Sequence, residues 1–162
     1  MKYQELLDNA KANLPALKKK MLSLKKTNTR LLDSKFHEAH TKTFKGIDCL
    51  LCANCCKTTS PIFRKVDIDR ISKHMGMKSG KFEDEFLRID EDGDFVLKSS
   101  PCYFLGSDNS CAIYDVRPLA CREYPHTDRK NMYQILDLTT KNIEICPAVA
   151  KIATELEGNV KK

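Results

Sequence analysis

Eight cysteines are the residues of this chain best suited to chemistry, and four of them fall within eight positions, Cys49-x-x-Cys52-x-x-Cys55-Cys56. Two residues between cysteines let one turn of backbone aim both sulfurs at a single ion while its amides donate hydrogen bonds to them, so this spacing recurs in zinc and iron–sulfur sites. The other four stand alone: Cys102 in SSPCYFLG, Cys111 in NSCAIYD, Cys121 in LACREYP and Cys146 in EICPAVA. Eight thiolates match two four-sulfur sites. Neighbours such as Cys55 and Cys56 are poorly placed to chelate one tetrahedral ion together, and are expected to serve different metals or a bridged cluster. Their order does not say which cysteines share a centre.

Zinc and iron compete for these sulfurs. Structural zinc sites usually come as two separated pairs of close cysteines, and the second half of the chain offers no such pair. Cys49, Cys52 and Cys55 reproduce the first three ligands of the bacterial ferredoxin run, and Cys146-Pro147 supplies the fourth in type though not in position. Iron, as an iron–sulfur cluster, is therefore slightly preferred. The whole arrangement CxxCxxCC … PCYFL … CAIYDVRPLACREYP … CP resembles the family of small cysteine-cluster proteins, CxxCxxCC, named for zinc or iron chelation. The resemblance runs from Cys49 to Pro147 and implies Cys49, Cys52, Cys55, Cys56, Cys102, Cys111, Cys121 and Cys146 as metal ligands.

A four-thiolate centre with zinc or an oxidised cubane carries about −2, and burying it calls for donors. Lys57, Arg117 and Arg122 lie beside cysteines and are expected to contact the sulfurs' surroundings; the alternative is surface pairing of the arginines with Asp115, Glu123 or Asp128. Tyr103, Phe104, Tyr114 and Tyr124 either wall off the centre or simply pack. His126, five residues past Cys121, is a further candidate ligand or proton donor, with a surface loop as the alternative. His74 suits the last turn of a helix, and His37 and His40 fall in the cysteine-free start of the chain.

The chain of 162 residues has 28 Lys and Arg against 22 Asp and Glu, a net charge of +6, with only 6 Gly and 6 Pro. It is long enough to bury a core. The initial Met, the lack of a secretory signal and the lack of a ~20-residue apolar run lead to the expectation of a cytoplasmic protein with no membrane partner. In that reducing compartment, dense cysteines point to metal or redox chemistry; the alternative is a secreted disulfide framework. There is no phosphate-cradling glycine loop, no Gly-x-Ser-x-Gly and no His-Glu-x-x-His.

Several elements must position these sulfurs. Leu7, Ala10, Leu14, Leu17, Met21 and Leu24 follow helical steps of three and four, with Pro15 kinking that helix or opening a second. DSKFHEAHTKTF predicts a helix capped by Asp33 or Ser34, with Phe36, His40, Phe44 and Ile47 along one side. SPIFRK reads as extended. DIDRISKHMG reads as a helix with Asp67 as cap and Gly76 as stop, and SGKFEDEFLRI as another with Phe82, Phe86 and Leu87 inward. The Asp-Gly pair predicts a turn into the strand DFVLKS. Pro118 opens RPLACREY and Pro147 opens PAVAKIATELEG, which Gly158 ends.

The expected fold is mainly α with a few short strands: a single compact, metal-organised cysteine-rich domain over residues 47–162, with a basic helical arm over residues 1–46 packed on it. Residues 1–45 hold 11 Lys and Arg against 4 Asp and Glu, a net of +7. The expected function is coordination of iron, as an iron–sulfur cluster, or of zinc through eight cysteines. The alternatives are a redox or group-transfer enzyme using the cluster, and a nucleic-acid-binding module built on the arm. The arm lacks the interleaved aromatics of a single-strand reader, so a protein is its expected partner.

Overall fold

In the computed structural model, residues 2–157 are described. They form, in order, α1 (Gln4–Ala12), α2 (Leu14–Leu24), α3 (Thr29–Phe44), α4 (Asn54–Thr58), α5 (Lys65–His74), α6 (Ser79–Phe86), β1 (Leu87–Ile89), β2 (Phe95–Leu97), α7 (Leu119–Glu123), α8 (Leu136–Asn142) and α9 (Pro147–Glu155). The mainly helical reading holds, with one antiparallel pair of strands. No helix among the described residues is long and apolar enough to cross a membrane. The chain divides into two compact units: one joins the chain up to Cys52 with the chain from Pro125 onward, and the other is Ala53–Tyr124.

The first unit is a helical bundle. Its most buried element is α9, whose Pro147, Ala148, Val149, Ala150, Ile152 and Ala153 are all inside, the pattern of a helix packed on nearly every side. Both α1 and α3 pack against it, and α2 packs against α8. Pro15 sits in the first turn of α2, so the apolar stripe is carried by two helices rather than one. Basic side chains of the N-terminal helices are partnered within this bundle. The Lys20 Nζ donates to the carbonyls of Ala153 and Thr154 at 2.9 and 3.0 Å, a cation on the last turn of α9. Lys25 pairs with Asp137 at 2.8 Å and Lys42 with Glu155 at 3.0 Å.

The start of α3 departs from expectation. The helix begins at Thr29 because the Asn28 side chain accepts from the amides of Arg30 and Leu31. Asp33, one of the two residues expected to cap it, instead accepts from the amides of Asn131 and Met132 at 2.8 and 2.9 Å, pinning the turn before α8. Replacing Asn28 with alanine is expected to cost about 1 kcal/mol, read as a lowered midpoint in thermal unfolding. The stop expected at Gly158 lies outside the described residues.

The second unit is built on aromatic packing. Phe82 is fully buried and meets the rings of Phe63, Phe86 and Phe104 at 5.1–6.1 Å. Ile68, Ile71, Leu87, Leu97 and Ile113 complete this core. The expected helix around Phe82 gives way at Leu87 to β1, which pairs with β2 in the register Leu87 to Leu97. Asp67 is not the N-cap residue of α5 but the third residue of its first turn, where it closes a capping box. Arg64 holds the cap position, and Asp67 lies inside the first turn, where its carboxylate accepts from the Arg64 amide at 3.1 Å. Gly76, with φ +68°, takes the left-handed conformation that closes the turn after α5.

Candidate metal centre

The Cys49–Cys52 segment is shaped by its own backbone. The Tyr3 hydroxyl accepts from the Asp48 amide at 3.0 Å, and the Asp48 carboxylate accepts from the Leu50 amide at 2.9 Å. The Cys52 amide then donates to the Cys49 carbonyl at 3.1 Å, the turn expected of a Cys-x-x-Cys pair. Cys146 reaches the same unit from the N-cap position of α9. Burial pushes its thiol up to about 12; the amides of Val149 and Ala148 oppose this without closing a capping hydrogen bond, and the Cys49 and Cys52 thiols add to it. Cys49 is exposed, and Cys52 and Cys146 are buried.

The second unit gathers the other five. Ala53, left-handed at φ 49°, turns the chain into the five-residue α4 that carries Cys55 and Cys56. Their sulfurs lie 4.0 Å apart. The contact with Cys55 draws the Cys56 thiol down to about 7; burial opposes this, and the Lys57 charge assists it. The Cys102 amide donates to the Cys56 carbonyl at 2.7 Å, so two cysteines distant in sequence are joined through their backbones. From Cys102 the chain runs to an isolated bridge between Leu105 and Cys111. Gly106 makes that hairpin tight: a Cβ there would stand 2.7 Å from the Asp108 carboxylate and 2.9 Å from the Ser110 hydroxyl.

Cys121, on α7, sees all of this group. Burial first, and then the Cys56, Cys102 and Cys111 thiols, push it up to about 12, and only the Arg117 charge acts against them. Burial likewise raises Cys102 and Cys111, with the Cys56 thiol adding to both. The structure thus assembles Cys49, Cys52 and Cys146 in one unit and Cys56, Cys102, Cys111 and Cys121 in the other, with Cys55 beside Cys56. No disulfide joins any of the eight. Among the described residues, no three His, Cys, Asp or Glu side chains stand close enough together to hold a metal ion directly.

The family model "CxxCxxCC: Putative zinc- or iron-chelating domain" matches residues 48–147, well over half of the 162-residue chain. The chain belongs to this family. No curated protein and no solved structure matches it. The match starts one residue before Cys49 and ends one after Cys146, so every thiol of this CxxCxxCC protein lies within it. A metal, zinc or iron, is the cofactor that membership supports. The donor set suits it, since thiolates are soft ligands favoured by zinc and by iron–sulfur clusters.

Other residues of this CxxCxxCC protein fall into place around the sulfurs. The Arg117 charge bears on both Cys111 and Cys121, while its guanidinium lies 3.8 Å over the Tyr114 ring. The Lys57 charge bears on Cys56, and Arg122 is exposed on α7. Phe104 is buried in the aromatic core, whereas Tyr103 is 64% exposed and rests on Phe86. His126 belongs to the first unit, half-buried with φ 62°. His37 binds Asp128 at 2.7 Å, and His40 binds Thr127 at 2.9 Å. The sequence reading missed Arg70, whose guanidinium reaches the stretch between Cys111 and Cys121. The one available signal was its helical spacing from Asp67.

Proposed function

We propose that this CxxCxxCC protein holds iron as iron–sulfur clusters through its eight cysteines, at two separate places and in the cytoplasm. One centre would draw on Cys55, Cys56, Cys102, Cys111 and Cys121; the other would use Cys49, Cys52 and Cys146. Arg117 and Lys57 would offset the negative charge of the first. The reading rests on one observation: the second unit alone gathers five cysteines, one more than a single tetrahedral ion takes, with the sulfurs of Cys55 and Cys56 4.0 Å apart. A single tetrahedral zinc ion with Zn–S bonds of about 2.3 Å would bring its sulfurs to within about 3.8 Å of each other. In a cluster each cysteine binds a different iron, so its sulfurs stand farther apart.

The test is purification without oxygen, followed by a visible spectrum and analysis for iron, acid-labile sulfide and zinc. The expected sample is brown, with iron and sulfide in equal amounts. A colourless sample with stoichiometric zinc would replace this reading with structural zinc sites.

A further inference from the structure

Arg70 and Asp67, on α5, carry none of the sulfurs, yet they hold the backbone that joins two of them. The Arg70 Nε donates to the Val116 carbonyl at 3.2 Å, and its Nη2 donates to the Arg117 carbonyl at 2.9 Å. The same Nη2 donates to the Asp67 carboxylate at 2.7 Å. That carboxylate also accepts from the Leu119 amide at 3.3 Å. Three backbone groups of the segment from Cys111 to Cys121 are thereby tied to one side-chain pair. The segment needs such a tie, since it contains only a single short 3-10 turn, Tyr114–Val116, before Pro118 opens α7.

A guanidinium is well matched to this task. Its planar fork presents several donors in fixed directions, so two carbonyls and a carboxylate can be held at once with little freedom left. Asp67 is fully buried. Arg64 donates to it from the other side at 3.1 Å, which fixes the carboxylate that orients Arg70. Without the pair, the carbonyls of Val116 and Arg117 and the amide of Leu119 would lose these partners, and Cys111 and Cys121 would be joined by a looser chain.

We propose that Arg70, oriented by Asp67, is a positioning residue of the second unit's metal centre: it fixes the Val116–Leu119 backbone and so restrains where Cys111 and Cys121 stand before any metal arrives. This rests on the reading of those cysteines as ligands. Preorganised ligands lose less freedom on binding, and the gain appears mainly as slower loss of the metal.

The experiment uses the full chain, reconstituted without oxygen from ferrous iron and sulfide, and follows bleaching of its visible absorption after addition of EDTA. Arg70→Ala is expected to fold, because Asp67 keeps Arg64, and to release the second unit's iron roughly 10–100-fold faster, the range seen when groups supporting metal ligands are removed. Arg70→Lys keeps the charge but not the fork, and should fall between. Ile68→Val trims the core from the same helix without removing any of these hydrogen bonds, and serves as the stability control. Release from Arg70→Ala at the wild-type rate, or no faster than from an equally destabilised Ile68→Val, overturns the positioning role. A wild-type chain that takes up no iron overturns the ligand reading, and this inference with it.

Discussion

If each unit holds an iron–sulfur cluster as proposed, serine in place of Cys121 is expected to strip the second unit of its metal and leave the first unit's metal in place, halving the iron per chain. Cys121 is the thiol on which Cys56, Cys102 and Cys111 all bear, so losing its sulfur removes the ligand common to that group. A serine hydroxyl is a poor substitute, because soft thiolate is what selects these metals. Cys146→Ser should do the converse. Its sulfur is the one the first unit supplies from α9, facing Cys49 and Cys52. The two variants should therefore lose complementary halves, and the double variant should be colourless. Iron and sulfide analysis of all three, prepared without oxygen, checks this. Loss of all the iron from either single variant would mean one shared centre.

Asp67→Ala should destabilise the second unit by about 3 kcal/mol, since it leaves two guanidinium groups and two amides without the buried carboxylate they share. Both arginines reach solvent, with side chains 51% and 32% exposed, which keeps the loss near the lower end for a broken buried pair. The same carboxylate makes stability depend on acid. Burial alone would raise its pKa, but hydrogen bonds from Arg64 and Arg70, with the amides of Arg64 and Leu119, outweigh burial and hold it at about 2 against an ordinary 3.8. A folded-state pKa below the unfolded one stabilises fully above the unfolded value, and this stabilisation is lost as pH falls from about 4 through 2. That contribution is worth roughly 2 kcal/mol. Urea unfolding should show a constant gap between wild type and Asp67→Ala from pH 7 to 5, narrowing at pH 3. A gap unchanged at pH 3 would show that Asp67 acts only through packing.

Local pattern carried much of the fold. The stripe from Leu7 to Leu24 became the buried faces of α1 and α2, and Pro15 opens the second of them as a proline at a helix start should. Phe82, Phe86 and Leu87 are inside as their spacing implied. Errors arose where a polar side chain had two partners to choose from. Asp33 could cap a helix nearby or hold a turn some hundred residues on, and the distant amides won. Asp67 resembled a cap because acidic residues suit a helix start, but it is a buried anchor for the segment ahead of α7. Neither choice is visible from neighbouring residues.

The candidate site divides in the same way. From its letters alone, the chain determined that it carries a dense thiol set, the Cys-x-x-Cys turn and the block from Cys111 to Arg122, because ligand type and close spacing are local properties. Tertiary structure decided how the thiols are grouped. Cys146 stands with Cys49 and Cys52, and Cys121 with Cys56, Cys102 and Cys111, because helix packing and long-range backbone hydrogen bonds, not sequence distance, determine which thiols share a neighbourhood.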